Sequence, residues 1–254
     1  MMTRIRTVLI LALGDRLIGA MLAAIAAVAL LAGFLGDRSV AEQGATGLAF
    51  AGFGLRLTVI AGLVLHVVFQ IRREIDSREL LLALSRPVSR AGLVVAWWAG
   101  FAVIGAGLAT AAGLAVAATG PADPAGLALW TGSLALEAAL MAAFALFFAL
   151  GLNGTVAAAI GCLGFYVLGR MVGVIEAIRR SPLRAPDTEL DRGLDRGFDL
   201  LGLLVPRLDL FGQGAWLVHG PPEPGLVALI ATQGAVFTAL LVVAAVIDFR
   251  GKAL

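Results

Sequence analysis

The feature that most constrains this chain is a series of six apolar runs, each long enough to cross a lipid bilayer as a helix. They cover about residues 17–36, 48–70, 92–118, 126–150, 155–175 and 226–247. Spanning the hydrocarbon core takes roughly 20 predominantly apolar residues. Only 14% of the 254 residues are charged, whereas soluble domains carry about 25%. The sequence therefore predicts a single all-α membrane domain, residues 1–254, with six transmembrane helices; five or seven spans are the alternatives.

Two further segments predict helices that do not cross the membrane. Thr3–Arg16 has a short apolar centre between charged ends, which favours a helix lying on the membrane surface. The long loop 176–223 contains two apolar segments, 197–205 and 208–218, that are too short to span. We expect short re-entrant or interfacial helices there, before the sixth span. A membrane-lying cap with no role in transport is the alternative.

The distribution of basic residues predicts the orientation of the chain. The short loops 37–47 and 119–125 hold only one basic residue, Arg38. The flanks on the other side hold ten, namely Arg4, Arg6, Arg16, Arg72, Arg73, Arg78, Arg86, Arg90, Arg250 and Lys252. Because short cytoplasmic flanks are enriched in Lys and Arg, both termini and the 71–91 loop should be cytoplasmic. The 176–223 loop then lies outside.

The sequence has no recognisable catalytic or metal-binding motif. It lacks the Gly-x-x-x-x-Gly-Lys-Ser/Thr phosphate loop and the Gly-x-Ser-x-Gly nucleophile elbow. Its two histidines and one cysteine show no metal-ligand spacing with carboxylates. The net charge of +2 does not indicate nucleic-acid binding. We therefore predict that the chain is not an enzyme, with no catalytic residue, no metal, no cofactor of its own and no nucleic-acid partner.

A dense charged segment separates the second and third spans. The stretch REIDSRELLLALSRPVSR, residues 73–90, holds seven charges in eighteen residues. As a helix over 71–86 it has one apolar face, and its polar face pairs Arg72 with Asp76 and Glu74 with Arg78 at i,i+4 spacing. Pro87 should end this helix, and Ser89 can cap the next one. A solvated loop whose charges only fix topology is the alternative interpretation.

This segment resembles the signature of type-2 ABC transporter permeases. In that family, Ile-x-x-Glu-Ile and a later Leu-Leu-x-x-Pro-x-x-Arg frame a cytoplasmic helix between spans 2 and 3. The matching positions here, with a longer spacing from Leu-Leu to Pro, are Ile71, Glu74, Ile75, Leu81, Leu82, Pro87, Ser89 and Arg90. The stretches LGDRLIGAML, residues 13–22, and LLVPRLDLF, residues 203–211, are similar to the family's surface helix and outer-loop element.

The resemblance implies a membrane-spanning permease subunit of an ABC transporter in a bacterial inner membrane, with export as the expected direction. ATP and Mg would bind two copies of a partner ATPase subunit, and a second permease copy or a related permease would complete the transporter. The helix 71–86 would be the coupling helix. Its expected ATPase-interface residues are Arg72, Arg73, Glu74, Asp76, Ser77, Arg78 and Glu79, and its stop residues are Pro87, Ser89 and Arg90. The alternative function is a non-transporting multi-pass membrane scaffold or assembly factor.

Three charged residues fall inside the predicted spans: Arg56, Glu137 and Arg170. Counting about 1.5 Å per residue puts Arg56 roughly 12 Å and Glu137 roughly 16 Å below the outer surface. Charges at such depth usually pair, so we expect Arg56 and Glu137 to meet and to be energetically coupled. A buried structural pair and a substrate or proton path are both open. Arg170, near a span end, is expected to snorkel outward.

Glycines in the third and fifth spans predict close helix approach. They are Gly100, Gly105, Gly107, Gly113, Gly161 and Gly164. Small residues let helix backbones come together in membranes. They can serve packing within one subunit or the contact between two subunits, and both interpretations are open from the sequence.

Overall fold

The computed structural model describes residues 15–38, 45–77, 89–179 and 205–251. Every regular element in these ranges is helical. The long helices are α1 (Arg16–Arg38), α2 (Ala45–Asp76), α3 (Arg90–Thr119), α4 (Pro124–Gly151), α5 (Thr155–Arg179) and α7 (Pro224–Gly251). A 3-10 helix, Leu208–Leu210, and the short helix α6, Ala215–His219, lie between α5 and α7.

The six long helices correspond to the six predicted spans. All six are long and apolar enough to cross a membrane, and the described part of the chain holds no seventh such helix. Each runs to or past the predicted bounds; α2, for example, continues to Asp76 rather than ending near residue 70. The predicted count of six and the all-α class are therefore confirmed for the described residues.

Large apolar side chains cover much of the outer surface of the bundle. Leu30, Phe53, Leu114, Val156 and Ile160 are each more than half exposed. A soluble monomer rarely shows contiguous apolar surface on this scale, whereas lipid tails solvate it without cost. Together with the six long helices, this surface indicates a multi-pass membrane protein.

Helix α4 is the centre of the bundle. It packs against α2, α3, α5, α6 and α7, and its buried residues occur on all sides of the helix. Its sequence explains this location, because Ala, Leu, Met and Phe occupy most positions of the helix and leave little polar surface. In contrast, α1 and α7 are largely exposed and lie at the periphery.

Successive long helices run antiparallel, which gives the bundle two ends. One end is named here the Arg90 end. It contains the last turns of α2 and α7, the first turn of α3 and the turn between α4 and α5. At the other, the Asp123 end, the α3–α4 turn meets the segment 205–219. The Asp123 amide donates to the Leu217 carbonyl at 2.9 Å and fixes that meeting point.

Local sequence signals account for the helix starts. Ser89 caps α3 by accepting a hydrogen bond from the Gly92 amide at 3.1 Å, as the sequence predicted. Asp123 caps α4 through the Gly126 amide at 2.7 Å, and Pro124 occupies the first turn. Both arrangements satisfy amides that have no partner within the helix.

Two predicted surface elements fall largely on residues that the structure does not describe. The N-terminal helix 3–16 is represented only by Asp15 and Arg16. Of the predicted coupling helix 71–86, residues 71–76 form the last turns of α2 and Ser77 follows in a turn. Arg78, Glu79 and Pro87 lie outside the described residues.

The predicted glycines divide between the inside and the outside of the bundle. A Cβ on Gly105 would lie 2.9 Å from Ala138 Cβ and from Leu63, and one on Gly113 would collide with Thr131. Gly107 and Gly164 face open space. Glycines at positions 105 and 113 therefore serve packing within the chain, where α3 contacts α4.

Gly126 offers a sharp test of the contact between α4 and the segment 205–219. A Cβ there would collide with the Trp216 backbone carbonyl, which cannot move away as a flexible side chain could. We expect Gly126→Ala to destabilise the protein by roughly 1–3 kcal/mol, the usual range for overpacking. The measurement is the thermal unfolding midpoint of the purified chain in detergent.

The matched control for this substitution is Gly132→Ala in the same helix. An added Cβ at Gly132 meets no atom within 4 Å, and alanine favours helix over glycine. The unfolding midpoint should stay constant or rise. Equal losses for the two variants would contradict the close approach of Trp216 to α4.

Candidate functional site

The site is built on one face of the central helix α4. Trp130, Ser133 and Glu137 are spaced i, i+3 and i+7, so their side chains share that face. All three are buried, and Glu137 has no exposed surface at all. An apolar helix that places three polar groups along a single face directs them toward specific partners.

Trp130 and Ser133 hold the segment 205–219 in place. The indole Nε1 of Trp130 donates to the Gly212 carbonyl at 3.1 Å, and the Gly212 amide donates to Ser133 Oγ at 3.0 Å. Ser133 Oγ in turn donates to the Trp130 carbonyl at 2.9 Å. Gly212 has a φ of 51°, a left-handed conformation that favours glycine. The amide and the carbonyl of Gly212 therefore both have hydrogen-bond partners inside the bundle.

Arg170 on α5 turns inward to the site. Its Nη1 lies 3.6 Å from Glu137 Oε1. The same nitrogen donates to the Phe211 carbonyl at 3.1 Å and to the Leu208 carbonyl. The prediction that Arg170 snorkels outward was therefore wrong. The physical reason is that Leu208 and Phe211 bring carbonyl acceptors over the end of α5, so the guanidinium finds its partners within the protein.

Arg56 on α2 lies beside the same carboxylate. Its side chain is buried, with only 4% of its surface exposed, and it interacts electrostatically with Glu137, Arg170 and Tyr166. In the described part of the chain, however, no nitrogen of Arg56 comes within 4.0 Å of a Glu137 oxygen. Arg56 and Glu137 thus belong to the same cluster, as part of the predicted pairing, but Arg170 makes the closer contact with the Glu137 carboxylate.

Several polar atoms at the centre of this cluster lack a hydrogen bond. Among the described residues, three buried atoms have no hydrogen-bond partner of acceptable geometry: the two carboxylate oxygens of Glu137 and the Nε of Arg56. The Tyr166 hydroxyl lies close to the carboxylate, and Gly212 packs against the Arg56 guanidinium. The arrangement therefore contains two cations, one anion and a phenol, with hydrogen-bonding capacity left unused.

A cavity of about 310 Å³ opens beside these groups, between α2 and α5. Its lining residues are Phe53, Arg56, Leu57, Tyr166, Val167, Arg170 and Met171, and the surface that they expose to it is almost entirely apolar. Its volume is at the lower end of the range for small-molecule pockets, about 300–1,000 Å³. The cavity therefore lies beside the cluster, while the Glu137 oxygens and the Arg56 Nε stay buried.

The predicted coupling residues that the structure describes gather at the Arg90 end. Arg72 pairs with Asp76 at 3.5 Å, the predicted i,i+4 contact, and also donates to the Leu152 carbonyl at 3.2 Å. Arg90 donates to the Phe249 carbonyl at 3.2 Å. Arg73, Glu74, Asp76 and Ser77 lie at least partly exposed at the same end. These contacts connect α2, α3 and α7 and the α4–α5 turn.

His66 has a specific partner that sequence reasoning missed. Its Nδ1 lies 3.1 Å from an Asp15 carboxylate oxygen, and its ring meets Phe101 edge-on at 5.9 Å between centroids. The other Asp15 oxygen accepts from the Leu17 amide at 2.9 Å and so caps α1. His66 therefore ties the start of α1 to α2.

The cluster combines a carboxylate, two guanidinium groups and a phenol. The described residues contain no group of three or more His, Cys, Asp and Glu side chains that could hold a metal ion. Among the described residues, the Glu137 carboxylate lies beside Arg56, Arg170 and the Tyr166 hydroxyl.

Sequence reasoning also missed Trp130, Ser133, Tyr166 and Gly212. Two features of the sequence could have indicated Trp130, Ser133 and Tyr166. Trp130 and Ser133 fall on the Glu137 face of α4, and Tyr166 precedes Arg170 by one helical turn. Gly212 follows an apolar run and has no comparable signal, because its role depends on a long-range contact.

Comparison with known proteins does not assign the chain to a family. No protein-family model matches it, and no curated protein matches it.

The geometry predicts a measurable coupling between Arg170 and Glu137. Replacing Glu137 by Gln should leave Arg170 in the bundle without its ionic partner. Arg170→Met should likewise leave Glu137 without this cation. The double variant should lose less free energy of unfolding than the sum of the two single losses, with a coupling free energy of about 0.5–3 kcal/mol. Unfolding of the four proteins in mixed detergent micelles, followed against the SDS mole fraction, gives this value.

A second cycle compares Arg56→Met with Glu137→Gln. Because Arg56 is farther from the carboxylate, its coupling free energy should be the smaller of the two. Arg16→Met, an exposed arginine on α1, is the control and should be additive with Glu137→Gln. Additive behaviour of Arg170 and Glu137 would contradict the contact described above.

Proposed function

We propose that this chain is the membrane-spanning permease subunit of an ABC transporter, working as an exporter with a separate ATPase subunit. The observation that carries the proposal is the charged segment 71–90 between spans 2 and 3, which resembles the coupling region of type-2 ABC permeases. In support, six helices can span a membrane, as such a subunit requires. The ends of this segment are also firmly held at one end of the bundle.

The contacts of Arg72 and Arg90 support a role in transmitting motion. Arg72 donates to the α4–α5 turn, and Arg90 donates to the end of α7. A partner that pushes on the segment between them would therefore act on four helices at once. Helix α2 continues without interruption from Ala45 to Asp76, about 48 Å, and could carry the displacement deep into the bundle.

The proposal includes the elements that complete such a subunit. Residues 71–86 are the cytoplasmic coupling helix, residues 3–16 are the surface helix, and the short helices near 208–219 are re-entrant or interfacial. Both termini and the Arg90 end face the cytoplasm of a bacterial inner membrane. Two ATPase subunits bind ATP and Mg, and a second permease copy or a related permease completes the transport unit.

Charge reversal on the coupling segment tests the ATPase contact. Glu74→Lys combined with Glu79→Lys should leave membrane insertion intact, because both lie beyond the apolar core of α2. The ATPase, identified by mass spectrometry through its phosphate-loop sequence, should no longer co-purify with the tagged chain. ATP turnover of the purified complex should fall with it.

The matched control is Glu223→Lys, the same charge change on an exposed residue at the opposite end of the bundle. That variant should keep the ATPase. Full co-purification and ATP turnover with both coupling residues reversed would reject the proposed interface. A native preparation with no ATPase at all would favour the scaffold or assembly-factor alternative.

The proposed stoichiometry has its own test. Outward-facing Gly107 and Gly164, which meet no atom within 4 Å, leave room for a second subunit to approach. We expect a transport-active particle with two permeases and two ATPases, measured by mass analysis of the detergent-solubilised complex. A stable, active particle with a single permease chain would contradict this expectation.

A further inference from the structure

Helix α7 packs on the bundle through one side and leaves the opposite side exposed. On the packed side, Gly234 lies against the Leu136 side chain of α4. Near the end of the helix, Phe249 meets the Trp97 ring of α3 at 6.0 Å between centroids. On the opposite side, five large apolar residues are each at least 50% exposed: Leu229, Val236, Leu240, Val243 and Ile247.

These five residues and Gln233 form one continuous row, named here the α7 stripe. From Leu229 to Ile247 the six positions are 4, 3, 4, 3 and 4 residues apart. That spacing is the one with which two helices pack side by side at a small crossing angle. The α7 stripe therefore has the geometry of a helix-pairing face, with one polar residue among apolar ones.

Gln233 is what distinguishes this face from an ordinary lipid-facing surface, because lipid tails solvate apolar side chains as well as protein does. It lies nine residues after Pro224, about 14 Å along α7. Its side chain is partly exposed and has no hydrogen-bond partner within the described part of the chain. Hydrocarbon offers neither donors nor acceptors, so an unpaired amide at this depth is costly.

Exposed hydroxyls in the spans do not share this difficulty. Thr110 and Thr232 are exposed, and each donates at 2.8 Å to the carbonyl four residues earlier in its own helix. The Gln233 side chain carries two donors and an acceptor, and no group among the described residues uses them. A partner of matching chemistry must bring both a donor and an acceptor to this depth of the membrane.

We propose that the α7 stripe is the contact with a second copy of this chain, in which the two Gln233 side chains hydrogen-bond to each other. Two copies in one membrane have the same orientation, so a two-fold axis along the membrane normal places the same residue of each α7 at the same depth. A side-chain amide is its own complement, since the carbonyl of one accepts from the NH₂ of the other. One polar residue in an apolar seam also fixes the register of the two helices.

This self-complementarity favours a second copy over the other occupants of the face. A lipid tail has no hydrogen-bonding group to offer Gln233, and an unrelated helix would have to present an amide or hydroxyl at the same depth. The contact uses α7 alone and requires no ATPase. It therefore does not rest on the proposed transport function, and its failure would leave the ATPase interface untouched.

Cysteine cross-linking in membranes identifies the face of α7 that pairs. In a chain that carries Cys162→Ala, the stripe is probed with Val236→Cys. The matched control is Ala235→Cys, which is exposed, lies at almost the same depth and is turned by about 100° around the helix. Two-fold pairing brings both Val236 positions to the seam, within the roughly 4.4–6.8 Å between Cα atoms that a disulfide spans. We expect an oxidised dimer with Val236→Cys and little or none with Ala235→Cys.

A second measurement tests the amide itself. Fluorescence energy transfer between labelled chains in liposomes, followed as the chains are diluted with lipid, gives the dissociation constant of the dimer. Gln233→Leu should raise it about tenfold, the size expected for an interhelical hydrogen bond in a membrane. Gln233→Asn keeps the amide and should recover part of the affinity. Thr232→Val removes a hydroxyl that is already bonded within its own helix and should change nothing.

The two measurements are independent, since the cross-linking variants leave Gln233 in place. Equal cross-linking through Val236→Cys and Ala235→Cys, or a chain that stays monomeric at every dilution, would overturn the proposal. Unchanged affinity in Gln233→Leu would do so as well. If Val236→Cys forms its disulfide with a different membrane protein instead, the second copy is rejected as the occupant of this face.

Discussion

A carboxylate at the centre of a lipid-embedded bundle needs cations nearby, and Glu137 obtains them from two different helices. A charge at this depth costs about 2.5–3.5 kcal/mol on insertion scales. Arg170 from α5 contacts Glu137, and Arg56 from α2 lies beside it. Because these helices flank α4, the buried charge specifies which faces of α2 and α5 turn inward.

The same requirement fixes the segment 205–219. Arg170 reaches Glu137 while it also donates to the Phe211 carbonyl. The neighbouring residue, Gly212, is held by Trp130 and Ser133 from the face of α4 that carries Glu137. One guanidinium thus joins the ionic cluster to the backbone of the loop. Loss of Glu137 would remove the ionic partner of Arg170 and leave the Leu208 and Phe211 carbonyls to hold its guanidinium in the bundle.

The cluster is poorly suited to a purely stabilising role. A buried ion pair gains little over well-packed apolar residues even when its hydrogen bonds are complete. Here they are incomplete at the Arg56 Nε, which has no hydrogen-bond partner among the described residues. The Glu137 carboxylate has Arg170 Nη1 at 3.6 Å and the Tyr166 hydroxyl beside it. Among the described residues, two arginines also face one carboxylate. A structural salt bridge alone accounts for neither feature.

The sequence predicted the spans well because their signal is local. Length and apolar composition identify each transmembrane helix, and the Ser89 cap follows from one hydroxyl beside one amide. Side-chain pairing is harder, because counting residues gives the depth of a charge and not the direction in which it points. Arg56 and Glu137 lie near each other in the bundle, yet Arg170 makes the closer contact.

The error on Arg170 has the same origin. Snorkelling assumes that water offers the nearest acceptors at the end of a span. Residues 208–211, some forty positions later in the chain, bring carbonyls to that end of α5 instead. No pattern within α5 contains this information. The contact of His66 with Asp15 was missed likewise, since it joins the first turn of α1 to the far part of α2.

Helix α2 connects the two regions that the structure singles out. Arg56 lines the cavity, and Arg72 belongs to the network at the Arg90 end. They are sixteen residues apart on one continuous helix without proline, about 24 Å. A helix of this kind transmits displacement along its axis because its hydrogen-bonded turns do not compress. If the charged segment moves as the proposed function requires, the displacement of α2 would shift Arg56 relative to Glu137 and Arg170. Conversely, a change in the contacts of Arg56 with this cluster would favour one position of α2, and hence one arrangement of the surface at the Arg90 end.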